Sequence, residues 1–251
     1  MLRRERDDLI VRALRTNGTA TAVELATRLG VSTATIRRDL QRLDRNGELT
    51  RVYGGAVLDA AGVEPPFNAL SGEDAEAKEA VALKAIELIR DDEVVLLDIG
   101  TTTMRLARHL RGRPVTVITN STAVFDELRD DSTVQLVLLG GMLRRNYKSL
   151  VGSLTEDALR QVSVDRVFLS CTGVRRDGHV VDNMMVETPS KRAMVAAGQS
   201  VVLLAPARKF PGTGSLRICS LADIDIVVTT DGADPDTLQA CREAGGEVLT
   251  A

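Results

Sequence analysis

Apolar positions follow two different rhythms along this chain. Up to residue 58 they recur every three or four residues, as on helices, in three short blocks. "ERDDLIVRALRTNG" puts Leu9, Ile10, Ala13 and Leu14 on one stripe, with Asn17-Gly18 as a stop. "TAVELATRLG" starts at Thr21, carries Val23, Leu25, Ala26 and Leu29, and stops at Gly30. "VSTATIRRDLQRLDRNG" opens on Ser32 as N-cap and turns Ile36, Leu40 and Leu43 inward. The short glycine-bearing turn "LGVS" between the last two blocks is what a helix-turn-helix requires. "GELTRVYGGAV" then alternates and turns at Gly54-Gly55, which predicts a two-stranded wing.

From Glu76 the rhythm changes. An amphipathic "EAKEAVALKAIELIR" is followed by the apolar runs "EVVLLD", "VTVIT", "VQLVLLG", "DRVFLS", "SVVLLA" and "IDIVVTT". Helical stretches such as "TMRLARHL", "STAVFDELR" and "SKRAMVAA" separate them. Short, continuously apolar strands divided by helices predict a mostly parallel sheet covered on both faces. Between the two regimes, residues 59–75 hold two prolines, two glycines and few core formers, a predicted hinge. The expected organisation is therefore a winged helix-turn-helix over 1–58, a linker over 59–75 and an α/β domain over 76–251.

Composition and charge add four constraints. The chain has 251 residues, 44% of them apolar, and no apolar run approaches the length of a bilayer span. Its start has acids among the arginines and no apolar core, so a secretory signal is not expected and a cytoplasmic location is. Cys171, Cys219 and Cys241 are odd in number and lack CxxC spacing, and His109 and His179 are the two histidines. Reduced core thiols are expected, with neither a metal site nor a cofactor. The net charge of −3 conceals a split: residues 1–58 carry +4 and the remainder −7. That balance suits nucleic-acid binding by the first module.

With Ile36, Leu40 and Leu43 facing the core, the third helix offers Thr33, Thr35, Arg37 and Arg38 outward, beside Ser32. Hydroxyls and guanidinium groups suit phosphates and the guanine edge in the major groove. Asp39 is expected to pair with a nearby arginine and orient it. "ATIRRDLQRLDRNGELTRVYGGAV" closely resembles the N-terminal winged helix of the DeoR family of bacterial transcriptional regulators. Thr35, Ile36, Arg37, Arg38, Asp39, Leu40, Leu43, Gly47, Arg51, Gly54, Gly55 and Ala56 match its signature. Tyr53 stands where a histidine is common and still offers one donor. The resemblance implies binding to a double-stranded DNA operator.

The predicted strand ends carry the unusual residues. "DIGTTT" ends one strand, "TNST" the next, "LGG" the third, and "SCTGV" follows "DRVFL". Each alone is ordinary turn chemistry. Four in one sheet make a rim for a polyhydroxyl ligand, since ligands gather at the carboxyl ends of parallel strands. "DIGTTT" at a helix start offers free N–H groups to an anion, which points to phosphate. "VETPSKRAM" places Thr188 as N-cap and Lys191 in a first helical turn, facing either an anion or Glu187.

This half is similar to the sensor domain of the same family, a fold shared with ribose-5-phosphate isomerase. The resemblance puts effector contacts on Asp98, Gly100, Thr101, Thr102, Thr103, Thr119, Asn120, Gly140, Gly141, Gly173, Glu187, Lys191 and Lys209, with Gly152 also on the pattern. One departure stands out. Where the family commonly has an acid and a hydroxyl before Lys-Phe, this chain has "APARKF", with Pro206, Ala207 and Arg208 before Lys209. That predicts an effector anchored more by its anionic group than by its hydroxyls.

Three functions remain in view. The leading one is a homo-oligomeric transcriptional regulator, a repressor of carbohydrate genes, whose DNA binding responds to a phosphorylated sugar. The second is a sugar-phosphate isomerase-like enzyme with a DNA-binding appendage, using Asp98 or Glu187 as base. The third is an architectural DNA-binding protein whose second domain only oligomerises.

Overall fold

The computed structural model describes residues 3–17, 19–45, 49–52, 54–57 and 67–251. Gly18, Gly47 and Tyr53 lie outside the described residues. The chain forms two compact units, Met1–Leu70 and Ser71–Ala251.

In the first unit, α1 (Arg3–Asn17), β1 (Thr19–Thr21), α2 (Ala22–Leu29) and α3 (Thr33–Arg45) precede β2 (Thr50–Val52) and β3 (Gly55–Val57). Ile10, Leu14, Leu25, Ile36, Leu40 and Leu43 form its buried centre. Leu9, expected on the inward stripe of α1, is instead exposed. The stripe is narrower than expected because Ile10, Ala13 and Leu14 already fill it. Thr21 caps α2 through a reciprocal pair: the Glu24 N–H donates to Thr21 Oγ1 at 3.1 Å, and the Thr21 N–H donates to Glu24 Oε2 at 2.8 Å. Gly30 ends α2 in the left-handed region, at φ 64°. The three strands form an antiparallel sheet in the order β1-β3-β2. Gly55 is required there, because a Cβ would sit 2.2 Å from the Ala20 carbonyl oxygen of β1.

The stretch expected as linker contains a helix, α4 (Phe67–Gly72), with Phe67 buried. Its two large apolar side chains, Phe67 and Leu70, are too sparse a pattern to predict it.

The second unit runs α5 (Ala75–Ile86), β4 (Val94–Leu97), α6 (Thr101–His109), β5 (Thr116–Thr119), α7 (Thr122–Leu128) and β6 (Gln135–Leu138). Next come β7 (Met142–Arg144), β8 (Ser149–Val151), α8 (Ser153–Leu159), β9 (Val164–Ser170), β10 (Gly173–Val174) and β11 (His179–Asp182). The chain ends with α9 (Thr188–Ala197), β12 (Gly198–Leu204), β13 (Leu216–Ser220), β14 (Ile226–Thr229), α10 (Pro235–Glu243) and β15 (Glu247–Thr250).

Seven strands form one parallel sheet in the order β15-β14-β12-β9-β4-β5-β6. Alternation along its central strands divides the core. Val95, Leu97 and Phe168 face α5, α6 and α7, whereas Leu96, Val167 and Leu169 face α8, α9 and α10. Emptying such a position, as in Phe168→Ala, costs about 3–5 kcal/mol. The six expected strands are all present. Strand β15, the β7–β8 hairpin and the antiparallel β10-β11-β13 sheet are additional. All three free cysteines lie within this unit, with Cys171 and Cys241 buried.

Candidate functional site

The outer surface of α3 is open. Arg37 and Arg38 are exposed, and neither has an ion-pair partner among the described residues. Asp39 is buried and does pair, but with other arginines. It accepts from Arg6 Nε of α1 at 2.6 Å and from Arg42 at 3.2 Å, and Arg42 also reaches Asp7 at 2.6 Å. Asp39 therefore fastens α1 to α3 rather than aiming Arg37 or Arg38. Burial raises the Asp39 carboxyl's pKa, but the two guanidinium groups more than offset this and hold it below its ordinary value. Ser32 caps α3: its Oγ accepts the Thr35 N–H at 3.1 Å and lies 2.8 Å from Thr35 Oγ1. Thr33 is half-buried beside them. Arg51 is exposed on the wing, with its N–H donating to Asp44 Oδ1 at 3.0 Å. Tyr53 lies outside the described residues.

In the second unit the chain leaves β4 in one direction through β5 and β6, and the later strands β9, β12, β14 and β15 lie on the other side. The reversal falls between β4 and β9, the position at which open α/β sheets leave a crevice beyond their carboxyl ends. Asp98 ends β4 there, and Ser170 ends β9.

Asp98 is fully buried. Its Oδ2 accepts from the Ser170 N–H at 2.9 Å, from Ser170 Oγ at 2.6 Å, and from the Lys191 ammonium. Lys191 also donates to the Ser170 carbonyl at 3.0 Å and lies 3.6 Å from Asp182 Oδ2. Burial disfavours charge on Lys191, but Asp98 and Asp182 outweigh it and raise its pKa above the ordinary value. Of the two alternatives for Lys191, an anion or Glu187, pairing with Glu187 is not observed: Lys191 is buried between two other carboxylates, Asp98 and Asp182. Glu187 turns to the β7–β8 hairpin, where it accepts from Ser149 Oγ at 2.9 Å and pairs with Arg144. It is also the N-cap residue of α9, the place expected for Thr188, whose hydroxyl donates back to the Met184 carbonyl at 2.9 Å.

Two buried acceptors at adjacent strand ends have no partner among the described residues: Asp98 Oδ1 and Asn120 Oδ1. The Asn120 amide nitrogen donates to the Leu150 carbonyl at 2.8 Å, and Thr119 Oγ1 donates to the Leu97 carbonyl at 2.8 Å. Between these ends, α6 starts at Gly100 without a side-chain cap. Thr101 and Thr102 are buried in its first turn, whose N–H groups have no intrahelical acceptor. The Thr103 hydroxyl is committed, donating to the carbonyls of Asp98 and Gly100 at 2.6 and 2.7 Å.

Three of the glycines serve close packing. A Cβ on Gly100 would meet Ser170 Oγ at 2.5 Å, one on Gly141 would meet Thr155 Oγ1 at 2.2 Å, and one on Gly173 would meet Gly212 Cα at 2.6 Å. The Gly140 carbonyl accepts from Thr155 Oγ1 at 2.6 Å, and Gly152 precedes α8.

Lys209 differs from the other cations of this region. It is half-buried on the turn after β12, and among the described residues no carboxylate or carbonyl pairs with its ammonium. Burial and the nearby charges of Arg208 and Lys191 lower its pKa. Arg208, beside it in sequence, pairs with Asp74 and lies 3.8 Å from Glu73. Sequence reasoning missed Lys78 in the first turn of α5. It is buried, and burial together with Arg208 and Lys209 pulls its pKa down to about 8. Its one sequence signal was a lysine among the alanines of an inward stripe. Asp182 was missed as well, and nothing in "GHVVDNM" distinguishes it. Among the described residues no group of three or more His, Cys, Asp or Glu side chains is placed to hold a metal ion, and no helix is long and apolar enough to cross a membrane.

A winged helix on one unit and a parallel sheet with a polar rim on the other define the class: a helix-turn-helix protein carrying a sensor-type α/β domain. Residues 6–61 match the DeoR-like helix-turn-helix domain, and residues 73–231 match the DeoR C-terminal sensor domain. The chain belongs to the DeoR family of transcriptional regulators. It is 32% identical to a putative aga operon transcriptional repressor of Escherichia coli O157:H7 over 98% of this chain and 93% of the relative. It is 31% identical to the L-fucose operon activator of Haemophilus influenzae over 93% of this chain and 94% of that one. It is 32% identical to the transcriptional repressor GlcR of Bacillus subtilis over 91% and 89% of the two chains. Among solved structures, a ribose 5-phosphate isomerase A from Methanocaldococcus jannaschii is 18% identical, covering 52% of each chain with a TM-score of 0.39. Likeness at that level carries nothing about activity.

Proposed function

We propose that this protein is a repressor of carbohydrate-metabolism genes that binds its operator through Arg37 and Arg38 of α3 and is modulated by a phosphorylated sugar. The phosphate sits at the uncapped start of α6 and against Lys209, with Lys78 reinforcing the positive potential. Sugar hydroxyls donate to Asp98 Oδ1 and Asn120 Oδ1, the two buried acceptors without partners. The observation that carries this reading is Lys209, a half-buried cation lacking a counter-ion among the described residues, on the carboxyl-end side of a parallel sheet.

The relatives support the regulatory part, two being named as repressors and one as an activator of a sugar operon. The site chemistry favours sensing over isomerisation. Asp98 Oδ2 already accepts three donors, and Glu187 is held by Ser149 and Arg144. Glu187 is therefore not left as a base, and the one open oxygen of Asp98, Oδ1, is given by this reading to a sugar hydroxyl. Because a single winged helix reads too short a sequence, the protein acts as a homo-oligomer on repeated half-sites. Effector and operator each prefer a different arrangement of the chain, so each weakens the other.

Calorimetric titration with matched sugars and sugar phosphates tests the effector class. The phosphorylated member of a pair should bind at least tenfold more tightly and reduce operator binding. Equal affinity for both members rules out an anion-anchored effector, and turnover of the phosphate ester would favour the enzyme.

A further inference from the structure

Most exposed large apolar side chains of the second unit gather in one region, Leu83 on α5 being the exception. Val137 and Leu138 lie on β6, Met142 and Leu143 on β7, and Leu154 at the start of α8, with Met142 67% and Leu154 69% exposed. Met185 belongs to the same region, because Glu187, two residues on, is held by Ser149 and Arg144 of the hairpin. Strand β6 is an edge of the sheet, paired only with β5. It therefore offers a row of unpaired backbone groups flanked by apolar side chains, an arrangement that soluble proteins rarely leave open. The opposite edge, β15, is protected differently, with Glu247 and Thr250 exposed along it.

We propose that this surface, the β6 edge together with the β7–β8 hairpin and the start of α8, is the interface with a second copy of the chain. The inference rests on the regulator reading, which already requires two winged helices. Three features fit a second copy. An edge strand set beside its own copy by a twofold axis pairs antiparallel and satisfies both rows of backbone groups. The apolar centre matches the composition of homodimer interfaces. The surface also carries one charge of each sign without an ion-pair partner among the described residues, Arg145 on the hairpin and Glu156 on α8. A twofold axis is the operation that lets such a patch complement itself.

The location couples assembly to sensing. The hairpin that bears Met142 also fixes rim residues, since the Leu150 N–H donates to the Asn120 carbonyl at 2.8 Å and Ser149 Oγ holds Glu187. A ligand that reorders Asn120 or Glu187 acts directly on the interface.

Sedimentation velocity of the full chain over roughly 1–50 µM, at or above the weak end of affinities for interfaces of ordinary size, tests the proposal. Wild type should sediment as a dimer or higher even-numbered assembly. Val137→Lys/Met142→Arg, and independently Leu154→Glu, should weaken association at least a hundredfold with unchanged circular dichroism and with sugar-phosphate binding retained, its affinity shifted only by the coupling to assembly. Operator binding should fall in parallel. A monomeric wild type overturns the proposal, as do folded variants that associate like wild type. In the second case sugar-phosphate binding and operator release stay intact, which separates a wrong surface from a wrong function.

Discussion

The two charged regions of this protein are built on opposite terms. On α3, Arg37 and Arg38 stand in solvent with no partner among the described residues, ready for an external anion. At the sheet's carboxyl ends, Lys191 is buried between Asp98 and Asp182, and Glu187 is buried against Ser149 and Arg144. The first arrangement costs the fold little, because exposed charges stay hydrated. The second depends on every partner, since a buried charge deprived of its counter-ion has no water to replace it. Removing charge from α3 should therefore abolish function and spare stability, whereas removing it from the rim should cost stability first.

The largest effect belongs to α3. Arg37→Ala/Arg38→Ala should reduce operator affinity at moderate salt by more than a hundredfold, with the melting temperature nearly unchanged. If both arginines contact phosphates, the slope of log affinity against log salt should shrink by about 2. An unchanged footprint would remove α3 from the interface. Next comes the rim. Lys191→Met leaves two buried carboxylates without their cation and should cost about 3–5 kcal/mol in denaturant unfolding. Because the folded pKa of Lys191 is raised, its contribution is complete at neutral pH and disappears only as pH rises above the ordinary lysine range. Adding Asp98→Asn to Lys191→Met should recover part of the loss. A cost below about 1 kcal/mol for the single variant would show that the pair behaves like a surface one.

This contrast also explains what the sequence could disclose. Exposure on a helix follows from its period, so burying Ile36, Leu40 and Leu43 leaves Arg37 and Arg38 outside whatever the rest of the fold does. The six strands were legible for the same reason, as continuous apolar runs. Partnership inside the rim is not a local property. Asp98 and Lys191 are 93 residues apart and meet only because β9 inserts beside β4. Hence the local sequence offers Lys191 only an anion or its neighbour Glu187, and nothing in it points to Asp182. Arg208 illustrates the converse: it adjoins Lys209 in sequence, but its guanidinium reaches Asp74 beside the start of α5.

Lys209 tests the boundary between the two kinds of site, being half-buried yet without a counter-ion among the described residues. Lys209→Ala should weaken binding of a phosphorylated sugar by about tenfold to a hundredfold, the value of one charge-assisted contact. The unphosphorylated sugar should be affected much less, and the melting temperature should not fall. A drop in stability like that of Lys191→Met would mean that Lys209 belongs to the structural network instead.

The smallest expected effect is a pH dependence centred on Lys78. In the free protein its ammonium loses a proton near pH 8, because burial, Arg208 and Lys209 disfavour the charge while Glu73 and Asp74 only partly oppose them. A bound phosphate dianion reverses that balance and raises the pKa, so binding takes up a proton in alkaline solution. Affinity should then fall as pH rises from 7 to 8.5, by at most about tenfold per unit for one proton. The phosphate itself does not contribute, since its second ionisation lies near 6 and is complete in this range. Stability without effector should move the other way. The unfolded chain keeps its lysine proton up to about 10.5 while the folded chain releases it near 8, so the unfolded state binds more protons and stability rises with pH. The measurement belongs below pH 9, because Cys171, with its pKa raised to about 11 by burial, adds an opposite trend above that. Lys78→Met should flatten both curves and raise the melting temperature of the effector-free protein. Titrations at several pH values, paired with thermal melts, check the two signs together; effector affinity and stability rising in parallel would exclude Lys78 from the anion site.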